Sequence, residues 1–255
     1  MITLNRHGHV AEIVLDRPKA HNALSTEMAV RLASVCAEVA DSDARAVVLS
    51  SSAEKSFCVG ADLKERASMT DDDLMRQRPV FRRAFGAVLH LPQPVVAAVH
   101  GFALGGGTEF ALSCDLVVAD PTAVFGLPEV GVGLIPAGGG TQLLQRRVGT
   151  AKAADLIFTG RKVGFDEAVA LGLVDRPAPA GEDRAAALEL AGTIAANSPV
   201  ALRAAKRALR HGAPLDLAAA LDVEDAAWRT AALSGDRREG IAAFNEKRRP
   251  EWPGL

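Results

Sequence analysis

Two glutamates and two glycine-rich turns carry the chemistry this sequence offers. Glu109 and Glu129 lie in one stretch, 103–141, which reads ALGGGTEFALSCDLVVADPTAVFGLPEVGVGLIPAGGGT. Gly105, Gly106 and Gly107 leave backbone N–H groups uncovered by side chains, so a ligand can approach them closely. The run Thr108–Cys114 predicts a short buried helix. A glycine turn feeding a helix start supplies donors suited to an oxyanion or a phosphate. The same three glycines also read as a flexible loop. Glu109 favours the first reading, because an ionised carboxylate beside Phe110, Ala111 and Leu112 is costly without a partner. A second turn, Gly60-Ala61, precedes a predicted helix with Asp62 in its first turn, and is read either as exposed donors or as a plain turn. Paired carboxylates can divide acid and base work when their surroundings separate their pKa values. Two N–H groups aimed at one carbonyl oxygen can stabilise an enolate by about 3 kcal/mol each. Together these features predict proton chemistry beside an activated carbonyl.

Other chemistries find no footing. The chain has no GxSxG elbow, GxxxxGK[ST] loop, HExxH pair or well-formed GxGxxG after a strand. His100 lies near the glycine turn without a serine or cysteine partner and is read as a loop residue. His7 and His9 are read as surface residues, since no ligand cluster accompanies them. Cys36, Cys58 and Cys114 are odd in number and lack CxxC spacing, which predicts reduced thiols rather than a disulfide or zinc site.

The elements that must position these residues read as an α/β layout. Residues 2–6 and 9–15 are predicted strands joined at His7-Gly8, with Ala11, Ile13 and Leu15 alternating against Glu12. Ser25 or Thr26 caps a helix to about Ala40 whose buried face is Met28, Leu32, Val35 and Val39. Arg45–Ser51 and Val95–Val99 are buried strands. Between them Thr70 caps a long helix to about Leu91, and its Arg76, Arg78, Arg82 and Arg83 are read as a solvated face. Asp115–Ala119 and Ala123–Phe125 are short strands. After Gly138 the pattern turns helical: 139–148, 150–158, 165–171, 181–197, a helix opened by Ser198-Pro199, then 214–233 and 237–248. The expected division is an α/β core over 1–195 and a helical part over 196–255, with a soft boundary.

At 255 residues the chain is long enough to bury a full core. A net charge of −2 argues against a nucleic-acid or membrane-surface partner. No secretory pattern opens MITLNRHGHV and no apolar run is long enough for a transmembrane helix, so a cytoplasmic protein is expected.

The motifs RPKAHNALS (17–25), FCVGADLKE (57–65), ALGGGTEFALSCDL (103–116), FGLPEVGVGLIPAGGGTQ (125–142), SPVALRAAKRAL (198–209) and EGIAAFNEKR (239–248) together resemble the crotonase superfamily, in its enoyl-CoA hydratase branch. The resemblance spans nearly the whole chain. It implies a spiral of strand-strand-helix repeats and helical C-terminal packing into trimers or dimers of trimers. It further implies that the Ala61 and Gly106 N–H groups hold a thioester oxygen. Glu109 would take a proton from water attacking C3, and Glu129 would protonate C2. The implied acyl-CoA contacts begin with Lys19, Ala20 and Leu24. They continue through Gly60, Ala61, Asp62, Leu63 and Lys64, then Leu104, Gly105, Pro128 and Ala137. Phe244 and Lys247 come from the end of the chain, Lys247 from a neighbouring subunit. CoA enters as part of the substrate, with no metal or redox cofactor. Other crotonase reactions (isomerisation, dehydration of a special acyl group, C–C cleavage) and a non-catalytic acyl-CoA binder are the alternatives. Two departures stand out. Ala137 replaces a glycine common in hydratases, which alanine can do if its φ is negative. The segments FCVGADLKERASM and EKRRPEWPG are similar to methylglutaconyl-CoA hydratases, some of which bind RNA through a lysine-rich helix. Here the 25–40 helix has Arg31 as its only base, so RNA binding is not expected.

Overall fold

The computed structural model describes residues 1–255. Ile2–His7 (β1) and Val10–Leu15 (β2) pair antiparallel around Gly8. Helix α1 (Thr26–Ala40) begins as expected, with Ser25 Oγ accepting from the Met28 N–H at 3.2 Å, and it buries Met28, Leu32, Val35 and Val39.

From there the strands come in pairs. β3 (Ala46–Ser51) and β4 (Ser56–Cys58) lead into α2 (Leu63–Arg66) and α3 (Asp71–Leu89). β5 (Val95–Val99) and β6 (Phe102–Leu104) lead into α4 (Gly106–Ser113). β7 (Leu116–Ala119) and β8 (Val124–Gly126) lead toward α5 (Gly140–Val148) and α6 (Thr150–Thr159). β9 (Lys162–Gly164), α7 (Phe165–Leu171) and β10 (Arg176–Pro177) close the sequence of strands. The first strand of each pair enters a six-stranded sheet ordered β1-β2-β3-β5-β7-β10. The second enters a four-stranded sheet ordered β4-β6-β8-β9. Pairing is parallel except for β1 with β2 and β8 with β9. Each pair thus climbs one step of a spiral. Gly101 makes one step possible: its φ is +53°, and a Cβ there would lie 2.2 Å from the Lys55 carbonyl oxygen.

The large sheet is buried on both faces, which is why its parallel strands read as unbroken apolar runs. Along β3, Val47 and Leu49 face the main core with α1 and α3. Ala46 and Val48 face a smaller core with Ala187, Leu190 and Ala191 of α8 (Asp183–Ala195). Beyond it lie α9 (Pro199–Gly212), α10 (Leu217–Ala232) and α11 (Gly235–Glu246). The buried Lys206 of α9 ties them back, its Nζ donating to Asp115 at 2.7 Å and to the Gln93 carbonyl at 2.8 Å. All three cysteines are buried and free. Burial pushes the Cys36 and Cys58 thiols up to about 12, so they are inert. No single helix is long and apolar enough to cross a membrane.

Several expectations are corrected. α4 starts at Gly106, two residues before Thr108, so Gly106 and Gly107 belong to the helix and Gly105 alone makes the turn before it. Asp62 caps α2 from outside instead of lying in its first turn. β4, β6 and β9 have three residues each and escaped the alternation test, which needs longer runs. Glu12, which alternation assigns to the polar side, is fully buried. Burial alone would raise its pKa. Arg184 Nη2 at 2.7 Å, His7 at 3.0 Å, Ser50 at 2.8 Å and Asn5 at 3.2 Å instead hold it at about 2. This carboxylate fastens α8 to the sheet. His100 likewise is a tie, with Nδ1 3.0 Å from Asp183 and Nε2 2.8 Å from the Ala53 carbonyl.

Because the Glu12 pKa is depressed on folding, its contribution is present above about pH 4.5 and is lost as pH falls toward 2. Arg184→Met is expected to cost about 2 kcal/mol at neutral pH, with a deficit that shrinks in acid. Urea denaturation of both proteins across that pH range checks it.

Candidate active site

The site forms where the turn after β4 meets the start of α4. Gly60 has a φ of +86°, and a Cβ on it would lie 3.0 Å from both the Gly106 nitrogen and the Leu104 carbonyl oxygen. The Ala61 backbone is pinned from both sides. The Leu24 N–H donates to the Gly60 carbonyl at 2.7 Å, and the Asp62 N–H donates to the Leu24 carbonyl at 3.0 Å. The Ala61 N–H itself has no acceptor in the chain. Neither does the Gly106 N–H, which belongs to the first turn of α4 and so lacks a helical partner. Gly107 serves packing: a Cβ there would lie 1.9 Å from the Cys58 carbonyl oxygen. Thr108 Oγ1 donates to the Ala103 carbonyl at 2.6 Å and accepts from the Gly126 N–H at 3.1 Å, stapling α4 to β6 and β8.

One turn into α4, Glu109 is 3 % exposed. Its Oε1 accepts from the Gly138 N–H at 2.6 Å and the Gly140 N–H at 2.8 Å. Burial raises its pKa above the usual carboxylate range, against the pull of those two N–H groups and of the Arg78 charge. Glu129 stands on a single 3-10 turn, Pro128–Val132. Its Oε2 is buried with no partner. Burial pushes its pKa up to about 7; its own N–H opposes this and the Glu109 charge adds to it. Gly105 makes room beside it, for a Cβ there would lie 2.9 Å from Glu129 Oε1. The two acids therefore differ in their surroundings: Glu109 is steadied by two donors, and Glu129 keeps one oxygen without a partner.

Both acids open onto one cleft of about 290 Å³. Gly60, Ala61, Gly105 and Gly106 line it with Glu109 and Glu129. Leu24, Leu63, Pro128 and Ala137 also border it. Ala137 does not have a positive φ, so alanine fits that backbone without strain. The other expected contacts lie elsewhere. Lys19 and Ala20 sit on a short 3-10 turn, and Lys64 and Leu104 do not border the cleft. The Asp62 carboxylate is occupied by Arg17 at 2.6 Å and by capping the Lys64 and Glu65 N–H groups. Phe244 and Lys247, at the end of α11, are exposed and away from this chain's own cleft. No group of His, Cys, Asp and Glu side chains is gathered in a way that could hold a metal ion.

Three features of the site are missing from the sequence reading. Gly138 and Gly140 are the donors to Glu109. Phe85 stacks on Phe110 with centroids 4.3 Å apart and walls the cleft. Arg78, read as part of a solvated face, lines the cleft as well. The signal was present in α3: Leu74, Arg78, Phe81 and Phe85 follow helical spacing and all turn toward the site.

A sequence profile described as enoyl-CoA hydratase/isomerase matches residues 5–254. The chain is similar to the Bacillus subtilis enoyl-CoA hydratase/isomerase YngF, at 45 % identity over 98 % of this chain and 96 % of that one. It is 39 % identical to the short-chain-enoyl-CoA hydratase of Clostridium acetobutylicum, over 98 % of this chain and 96 % of that one. The crystal structure of an enoyl-CoA hydratase from Bacillus anthracis superposes with a TM-score of 0.96 at 39 % identity, covering 100 % of this chain and 99 % of that one.

The raised Glu129 pKa makes a further prediction. The folded state holds this proton more tightly than the unfolded chain, so stability is lost as pH rises from about 4.5 through 7. Glu129→Gln is expected to raise the melting temperature by a few degrees at mildly alkaline pH. The gain should vanish below about pH 4, and thermal melts across pH check it.

Proposed function

The chain belongs to the enoyl-CoA hydratase/isomerase family, and from that premise we propose that it hydrates a trans-2-enoyl-CoA to a 3-hydroxyacyl-CoA, reversibly. The observation that carries the reading is two acids in one cleft, one held by two backbone donors and the other with an unpartnered oxygen, beside two unclaimed backbone N–H groups. A conjugated thioester is a poor electrophile until negative charge on its oxygen is stabilised. The Ala61 and Gly106 N–H groups supply that stabilisation in a site walled by Phe85, Leu63 and Pro128. Water lies between the carboxyl groups. Its oxygen bonds to C3, its proton passes to Glu109, and the C2=C3 electrons move toward the thioester oxygen. Glu129 then protonates C2, and the carbonyl re-forms. Glu109 leaves the step protonated and Glu129 ionised, and exchange with solvent restores both. Isomerisation needs a proton moved along the acyl chain by one acid, so retention of both acids supports hydration.

Oligomeric packing is part of the same proposal. Leu209, Leu217, Trp228, Leu233 and Phe244 are large apolar side chains left exposed on α9–α11 or beside them. Their burial between copies would account for this part of the chain. Lys247 would then reach a neighbour's acyl-CoA.

Loss of conjugated thioester absorbance on mixing with crotonyl-CoA, with a product heavier by one water, is the expected result. Glu109→Gln should lower kcat by at least about 100-fold while acyl-CoA binding persists. Full activity in that variant would overturn the role of Glu109. The pH profile of kcat/KM should fall above about 7 as Glu129 loses its proton, and fall again in acid as Glu109 gains one. Glu129→Gln should remove the alkaline limb from the residual rate.

A further inference from the structure

The cleft holds two guanidinium groups that take no part in the bond changes of hydration, although the Arg78 charge bears on Glu109. Arg66, on the last turn of α2, and Arg78, on α3, both line it. Neither takes part in an ion pair, although twelve Arg–carboxylate or Lys–carboxylate pairs occupy other parts of the molecule. Arg66 is held rather than loose. Its Nε donates to Gln77 Oε1 at 3.1 Å, and its guanidinium lies over the Phe81 ring, 5.1 Å from the centroid. Gln77 is itself buried, with its Nε2 donating to Thr26 Oγ1 at 2.8 Å. That arrangement leaves the two terminal nitrogens of Arg66 with no partner in the chain. The nearby Glu65 carboxylate is engaged by the Thr26 N–H at 2.9 Å and by Gln77. Burial lowers the Arg66 pKa, the Glu65 charge works against that, and the like charge of Arg78 adds a smaller lowering, as for a cation partly stripped of water.

The location identifies the part of the substrate concerned. Phe85 lies against Gly106, beside the reacting carbonyl. Arg78 stands seven residues earlier on the same face of α3, about 10 Å away along the axis. Arg66 covers Phe81 between them. A fork of N–H donors and a second cation, set in an apolar cleft beyond the reacting carbons, suits a carboxylate. Resting on the hydratase reading, we propose that Arg66 and Arg78 form a subsite for a carboxylate at the far end of the acyl group, so that the substrate class is an ω-carboxylated 2-enoyl-CoA.

Binding of saturated, unreactive thioesters tests this apart from catalysis. Glutaryl-CoA and adipoyl-CoA are titrated calorimetrically against the methyl-ended acyl-CoA of equal chain length, with free CoA as a third arm. At least one carboxylated thioester should bind about tenfold or more tightly than its methyl-ended counterpart. Arg66→Gln and Arg78→Gln should each collapse that ratio, and Arg66→Lys should restore only part of it. A wild-type ratio at or below one overturns the proposal. So does an equal weakening of every thioester and of free CoA in the variants, which would assign the arginines to a CoA phosphate. Failure of the uncharged enoyl-CoA and its carboxylated counterpart alike to be hydrated would instead overturn the hydratase reading, while the binding ratio would still decide the subsite.

Discussion

The site depends on how closely two backbones approach each other. Gly60 and Gly106 meet with no space for a side chain between them, and Gly107 brings α4 against the carbonyl of Cys58. Only glycine permits such contacts. They bring an N–H from the turn after β4 and an N–H from the first turn of α4 to the same cleft. The spiral serves this meeting. Each strand pair sends its second strand into the small sheet, so β4 and β6 lie side by side and their outgoing turns open at the same end.

Electrostatics then divides two identical side chains. Glu109 and Glu129 share a cleft and an apolar wall, and burial raises both. Glu109 receives two backbone donors and feels the Arg78 charge, which steadies its anion. Glu129 leaves one oxygen with no partner and stands near the Glu109 charge, which favours its proton. The separation follows from hydrogen-bond supply and not from residue type. The same principle holds Glu12 ionised in the core, where four polar neighbours outweigh complete burial.

Much of this could be read from the sequence. The α1 face, the Ser25 cap, the apolar runs of β3 and β5, and the helical tail followed from periodicity and capping residues. Glu109 announced itself through its apolar neighbours. What escaped notice involved positions with no local signature. Three-residue strands are too short to alternate. The burial of Glu12 depends on Arg184, which is distant in sequence. Gly138 and Gly140 act through backbone nitrogen, which leaves no trace in residue type. Arg78 is the exception: by residue type it resembles its neighbours Arg76, Arg82 and Arg83, but its register with Leu74, Phe81 and Phe85 marks it.

Phe85 carries a consequence for how such a site can change. A Cβ on Gly106 would lie 3.1 Å from its ring, and one on Gly138 would lie 2.6 Å from it. One ring therefore touches both the first turn of α4, with its unclaimed Gly106 N–H, and the loop that holds Glu109. The two work as arms of a single caliper set by one aromatic thickness. A drift in that thickness moves the Gly106 N–H and Glu109 together. Selection can retune their common spacing through position 85, but it cannot adjust either arm alone there, and the distal half of the cleft is left as the region free to vary.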